Sequence, residues 1–391
     1  AVGGGSVGRD ATGRAVFVDD ALPGEVVVVR LDSVHRRHAR GRAVEVLEAS
    51  AARIAPPCPE AIAGCGGCDL QHATVGEQLR MKRTVVADVF ERIARVPRPE
   101  VAVRQLPAQG YRTTLRVAVV DGRAAFRSRR SHDLHPVASC MVAHPLLDDL
   151  VRDGRFGSAR EVTLRVGART GERMALVDGS IEGVLLPDDV VLVAAGPHRG
   201  GPPPALHEVV DGHRFRISAG SFFQSGPDGA EALVSEVRRM LAGVVGADAT
   251  VVDLYAGVGL FAATVVDPEA TVVAVEAYRR AAADAVHNLT FRSGPTEVLG
   301  MAVADWTPRR ADVVIADPSR GGLERVGAER VLATEAHVVV LVSCDAGALG
   351  RDVGLLVAGG YQVEEVTLVD LFPQTHHVEV VTRLTRVGPA G

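Results

Sequence analysis

A chain of 391 residues, 47% hydrophobic and 23% charged, exceeds what one hydrophobic core organises and is too apolar to be disordered or fibrous, so two or three globular domains are expected. Its formal net charge of −5 argues against a generic polyanion binder. No apolar run reaches membrane-spanning length before charge or glycine breaks it, and residues Ala1 to Gly13 lack the basic start and apolar stretch of a secretory signal. The expected protein is cytoplasmic, with a trimmed start at Ala1.

From Gly13 to Glu48, short alternating runs (AVFV, EVVVVRL, RAVEVLE) separated by Pro-Gly and a charged loop predict a small β-barrel. Such barrels often present a basic face to oligonucleotides, although a purely structural barrel fits the same pattern. Five arginines (Arg30, Arg36, Arg37, Arg40, Arg42) oppose Asp32 alone, and seven further on (Arg104, Arg112, Arg116, Arg123, Arg127, Arg129, Arg130) oppose Asp121 alone. A solvated face is the plain reading of either stretch; together they suggest phosphate contacts despite the negative total.

Residues 51–70 are turn-rich and cysteine-rich. Apolar positions at helical spacing (Leu79, Val85, Val86, Val89, Phe90, Ile93) then predict one amphipathic helix over 76–95, ended by Pro97 and Pro99. Strand-like runs between 111 and 215 (TLRVAVV, EVTLRV, RMALVD, DVVLVAA) predict an antiparallel region before the loop GPHRGGPPP. Beyond Phe215 the character changes. A helix over about 229–241 leads into buried β-branched runs that alternate with helical stretches, the pattern of a doubly wound α/β domain with a mostly parallel sheet.

Within that domain Asp253-Leu-Tyr255-Ala-Gly257-Val-Gly259 ends a strand and enters a helix, where glycines let a ligand approach the backbone. Glu276 closes the next strand, placed to accept ribose hydroxyls of an adenosine cofactor. The alternative is a tight turn beside an exposed acid. A nicotinamide dinucleotide is disfavoured because its pyrophosphate needs GxGxxG, whereas phosphate-free S-adenosylmethionine suits DxxxGxG. Cys344 sits at the end of the strand HVVVLVSCD, Asp317 at the end of the strand before it in ADPSRGG, and Glu379 after a loop in LFPQTHHVEVV. A buried structural cysteine is the base expectation for Cys344 alone. The three together supply a nucleophile, a polar anchor and an acid whose pKa desolvation would raise into the range of a base.

Taken in order, FFQ, DLYAGVG, ADPSRGGL, SCDxxxLxRD and FPxTxHVE resemble the RNA uridine C5 methyltransferase family over nearly the whole chain. The resemblance implies Cys344 as nucleophile and Glu379 as base. It implies cofactor contacts at Gln224, Tyr255, Gly257, Gly259, Glu276 and Asp317, with Asp305 a candidate for the adenine loop, and places Gln224 and Asp317 near the target uracil. The expected reaction is methyl transfer from S-adenosylmethionine to carbon 5 of a uridine through a Cys344 adduct at carbon 6. The target would be flipped out of its RNA, with ribosomal RNA favoured over transfer RNA. A methyltransferase acting on a small pyrimidine nucleoside or metabolite on the same scaffold is the alternative, and it leaves the barrel and arginines without a purpose. Two departures stand out: Asp345-Ala346 where many members carry Asn-Pro, and apolar Leu260 where some place a polar residue.

Cys58, Cys65 and Cys68 are spaced C-x6-C-x2-C, and Cys140 is a possible fourth ligand. Four thiolates in one tetrahedral site would leave only Cys344 over, and spacing leaves zinc and iron–sulfur both open. The resemblance implies a 4Fe-4S cluster. It also implies three parts: a TRAM-like β-barrel (1–50), a central iron–sulfur and RNA-binding domain (51–215) whose helix packs on the catalytic domain, and the methyltransferase domain (216–391). The expected partner is RNA, with no membrane, and the expected state is a monomer.

Overall fold

The computed structural model describes residues 3–129, 131–196 and 203–388. Ala1, Arg130 and most of the GPHRGGPPP loop lie outside the described residues. The N-terminal alternation forms a four-stranded sheet of Ser6–Arg9, Ala15–Asp19, His38–Glu48 and Val26–Val34, in that spatial order. Three register irregularities between its two long strands bend it. Its interior is small, built on Val16, Val18 and Ala39.

The central strands form a six-stranded sheet in the order Val190–Ala194, Arg173–Asp178, Glu161–Val166, Thr114–Val120, Arg123–Arg127, Leu134–Pro136. It is antiparallel as expected, except that Val190–Ala194 runs parallel to its neighbour. The helix Pro145–Asp153 covers one face through Leu147, Leu150 and Val151, all buried with the sheet's apolar side chains.

The C-terminal β-branched runs build an eight-stranded sheet in the order Thr296–Leu299, Thr271–Val275, Thr250–Leu254, Val313–Ala316, Val338–Ser343, Val380–Arg386, Tyr361–Val369, Val101–Arg104. Alternation divides it into two cores. Val251, Val272, Ile315, Val340 and Val342 face one cluster, whereas Val252, Val273, Val314, Val339 and Leu341 face the other. One strand is reversed: Val380–Arg386 is antiparallel to both neighbours.

Two segments differ from the expected division at 216. Val101–Arg104 pairs parallel with Tyr361–Val369 and becomes the edge of the large sheet, because it follows directly on a helix already docked there. The hairpin Ala205–Val210 and His213–Ser218, turned by Asp211 and Gly212 at φ 51° and 77°, packs its Leu206, Phe215 and Ile217 into the C-terminal core.

The predicted helix runs from Val75 to Val89, continues as a single π-turn through Ala94 and ends at Arg95 in the left-handed conformation (φ 59°), ahead of the prolines. It lies against the helix Ala346–Ala358. Gly350 and Gly354 permit this closeness, since a Cβ at Gly350 would come within 2.8 Å of Ile93 and one at Gly354 within 3.3 Å of Ala94. The buried stripe of the helix includes Gln78, Lys82, Val86 and Phe90, so its first half is polar.

Candidate active site

Strand register brings the expected groups together. Ser343 pairs with Val380 across the antiparallel ladder, so Cys344, one residue past Ser343, and Glu379, one residue before Val380, emerge side by side at the same end of the sheet. The reversed strand makes this possible, because the start of an antiparallel strand lies beside the carboxyl ends of parallel ones. Asp317 leaves the adjacent strand Val313–Ala316 at the same end of the sheet, one residue past the Ala316–Leu341 pair. Gln224 reaches it from the loop before the helix Pro227–Met240, its Nε2 donating to Asp317 Oδ2 at 3.2 Å. That loop is fixed by buried Asp284 on the helix Arg279–Asn288, which accepts from Ser218 N, Ser218 Oγ and Ser221 Oγ at 2.8, 2.7 and 2.9 Å.

The electrostatics of the cluster are those of crowded, desolvated acids. Glu379 is only 2% exposed and its Oε1 has no partner among the described residues. Burial, then the nearby Asp317 charge, raises its pKa well above the usual carboxylate range. Burial pushes Asp317 to about 7. The Cys344 thiol is driven up to about 12 by burial, then by the carboxyls of Glu379 and Asp317, with Arg320 pulling the other way. Both shifts favour the uncharged forms, the carboxylic acid at Glu379 and the thiol at Cys344.

Asp345 is extended and caps the helix Ala346–Ala358, its Oδ1 accepting from Ala348 N at 2.8 Å. The first departure from the family pattern thus carries a working N-cap one residue from the thiol. Leu260, the second, is 6% exposed in the apolar core.

Beside this cluster lies the glycine loop. Gly257 (φ 57°) and Gly259 (φ 88°) are both left-handed, and a Cβ on Gly257 would meet nothing within 4 Å, so open space faces that backbone. Glu276 accepts from Gly257 N at 2.9 Å through Oε2 and from Tyr278 N at 2.6 Å through Oε1. Its carboxylate is aimed at the loop and still has lone pairs to offer. Open backbone, a rigid carboxylate and no phosphate-binding turn fit an adenosine sulfonium cofactor.

Tyr255 has φ 60°, and its hydroxyl stands where a Cβ on Gly327 would lie 2.7 Å away, so its ring packs on the helix Glu324–Ala333. Asp305 is exposed in the 3-10 turn Val303–Asp305 and makes no side-chain hydrogen bond among the described residues.

Sequence reasoning named Asp253 as the head of the DxxxGxG motif but gave it no role of its own. It is fully buried, its Oδ2 accepts from Ala262 N at 3.1 Å, and Oδ1 has no partner among the described residues. Burial, then the charges of Asp317 and Glu276, raises it to about 7. An acid inside the apolar strand TVVDL was the available signal. Gln78 and Lys82 were hidden by their place on a helix read only for its apolar positions.

The four remaining cysteines line one cavity of about 190 Å³ with Glu60, Gln71, Arg112 and Phe126. Cys58 is buried and the other three half-buried. The four-thiolate site expected to hold a 4Fe-4S cluster at Cys58, Cys65, Cys68 and Cys140 does not stand out as a metal-binding group: among the described residues no group of three or more His, Cys, Asp or Glu converges to hold a metal ion. The thiols surround a space instead of meeting at a point.

The TRAM domain model matches residues 3–44. An "uncharacterized RNA methyltransferase" of Streptomyces avermitilis is 35% identical over 98% of this chain and 95% of its own length. One from Streptomyces coelicolor is likewise 35% identical, over 98% and 90%. The chain belongs to the RNA methyltransferase family. Among solved structures, Pyrococcus abyssi tRNA (uracil-54, C5)-methyltransferase in complex with S-adenosyl-L-homocysteine aligns with TM-score 0.74 over 97% of this methyltransferase and 100% of its own chain, at 23% identity. The two share a fold, which accounts for the layered α/β sheet and the N-terminal sheet of this RNA methyltransferase alike. No helix of the described residues is long and apolar enough to cross a membrane.

Proposed function

We propose that this RNA methyltransferase methylates carbon 5 of a uridine, with Cys344 as nucleophile and Glu379 as base. The observation that carries the reading is the register that sets Cys344 beside Glu379, with Asp317 and Gln224 at their flank. Carbon 5 of uracil is too weak a nucleophile to take a methyl group unaided, so covalent activation is required. Cys344 gives its thiol proton up to solvent, the resulting thiolate forms a bond to carbon 6, and the ring π electrons move onto the O4 enolate. Bound S-adenosylmethionine supplies a methyl group on an electron-deficient sulfonium. Carbon 5 bonds to that methyl as the carbon–sulfur pair leaves with S-adenosylhomocysteine. Glu379, ionised once its own proton has passed to solvent, then takes the carbon 5 proton, the C–H pair restores the C5–C6 double bond, and the cysteine departs as thiolate.

Gln224 and Asp317 suit the edge of the uracil, one offering an amide and the other a carboxyl. Glu276, Gly257 and Gly259 suit the adenosine, with Tyr255 shaping the loop and Asp305 reserved for the adenine side. A pyrimidine attacked at both carbons must leave its stack, hence a flipped uridine in an RNA loop. The Pyrococcus abyssi tRNA methyltransferase shares the fold over 97% of this chain, so the three-part layout does not by itself favour ribosomal over transfer RNA. The chain is expected to act as a monomer.

For the cysteine cavity the proposed occupant is a 4Fe-4S cluster ligated by Cys58, Cys65, Cys68 and Cys140. A zinc ion would need four sulfurs at about 2.3 Å from one point, whereas thiols ringing a cavity suit a polynuclear group. Purified protein should be brown with absorbance near ~400 nm; a colourless, zinc-bearing protein would refute this. Incubation with tritiated S-adenosylmethionine and unmodified ribosomal and transfer RNA, followed by nucleoside analysis, tests the main reading. Label should appear in 5-methyluridine, and label only in other nucleosides or in none would sink it.

A further inference from the structure

The loop 370–378 delivers Glu379 to the site, yet side chains from outside the C-terminal portion of the chain hold it. Lys82 Nζ donates to Asp370 Oδ1 at 2.6 Å and to Phe372 O at 2.9 Å. Tyr111 Oη donates to Pro373 O at 3.0 Å. His376 N donates to Asp69 Oδ1 at 2.9 Å, and its Nδ1 lies 2.5 Å from Asp69 Oδ2.

The tightest hold is on Gln374, a non-glycine residue at φ 68°. Its N–H donates to Gln78 Oε1 at 2.9 Å, its side-chain Oε1 accepts from Gln78 Nε2 at 3.0 Å, and its carbonyl accepts from Leu70 N at 2.9 Å. Gln78 is 1% exposed and ties the same point to the cysteine segment by donating to Leu70 O and Ala73 O at 3.1 and 2.9 Å. A left-handed conformation at a residue with a side chain persists where surrounding contacts over-determine it, and such positions gather at functional sites.

We propose that Gln78 is a positioning residue for Glu379, locking the Gln374 turn so that the carboxylate stands beside Cys344. This rests on the reading of Glu379 as the base. Downstream of the turn, Glu379 itself is tied to the sheet through its carbonyl, which accepts from Val369 N at 2.8 Å. Its carboxylate lacks a partner on Oε1, so the direction of the side chain depends on how the chain arrives from Gln374. The cysteine segment enters the same device through Asp69 and Leu70, and a disturbance there would reach the base by the same route.

The test compares wild type, Gln78→Leu and Gln78→Glu for turnover on RNA, affinity for S-adenosylmethionine, and accumulation of the methylated covalent protein–RNA complex. A displacement of about 1 Å can lower a rate about 100-fold. Gln78→Leu, which loses every bond, is expected to turn over at least ~10-fold slower, with cofactor affinity within about twofold and the covalent complex accumulating. Gln78→Glu keeps the acceptor for Gln374 N–H and should fall between. A purely structural role would lower affinity and turnover together without trapping the complex, and that result overturns the proposal, as does wild-type turnover in either variant. Should Gln78→Leu fail to fold, Gln78→Glu decides on the same two signatures. Wild type that makes no 5-methyluridine would instead refute the reading of the reaction.

Discussion

Replacing Asp253 with asparagine should make the protein more stable, and by an amount that grows with pH. The buried carboxyl has a folded pKa of about 7 against an ordinary 3.8. Because the folded state raises it, the unfolded chain ionises first, and stability is lost as pH climbs from 3.8 towards 7. A gap of about three pH units at ~1.36 kcal/mol each gives a ceiling of about 4 kcal/mol at pH 8, shrinking below about 1 kcal/mol at pH 4.

Asparagine keeps an acceptor for the Ala262 N–H and carries no charge, so Asp253→Asn should recover most of that difference at pH 8 and little at pH 4. Trp306, the single tryptophan, is 2% exposed in the core of the large sheet and reports its unfolding by fluorescence. Urea unfolding of both proteins at the two pH values measures the effect. Equal differences at both, or a variant weaker than wild type at pH 8, would refute the electrostatic account. A gain in stability joined to weaker S-adenosylmethionine binding is the trade expected where a charge is kept for function.

Cys344→Ala should abolish both turnover and covalent adducts with 5-fluorouridine RNA. Glu379→Gln should slow turnover about 10²–10⁴-fold while trapping the methylated complex, a combination visible by denaturing gel with labelled cofactor. Asp345→Ala removes the cap beside the thiol and should lower stability by about 1 kcal/mol in denaturant titration, with Asp345→Asn close to wild type. Lys82→Met leaves Asp370 buried without its cation and should lower stability by about 3–5 kcal/mol, whereas adding Asp370→Leu should restore most of it. A double variant no better than the single would show that Lys82 acts through its bond to Phe372 O instead.

The parts of this molecule that depend on local pattern were readable beforehand. β-branched runs with two buried faces announced the large sheet, and the spacing of Cys344, Asp317 and Glu379 relative to strand ends foretold which groups would meet. What escaped notice was non-local. Nothing in the run EVAVRQ suggests that Val101–Arg104 should pair with Val366–Val369, far along the chain, since a short edge strand has no pattern of its own. Gln78 and Lys82 look like ordinary solvated helix residues until the loop they bind is placed over them. Four thiols counted along the chain suggested convergence on a point, yet their separation is set by how the 134–143 segment folds back over residues 58–68, which spacing does not encode.

The borrowed strand bears on any attempt to produce the methyl-transferring portion alone. A fragment cut at 216 would bare Val366–Val369 on the side that Val101–Arg104 covers, leaving the outward N–H and C=O groups of that stretch unmatched, a template for other chains to join. Such a piece should precipitate or pair with itself, and a soluble version would have to carry residues from about 75 onward in the same polypeptide.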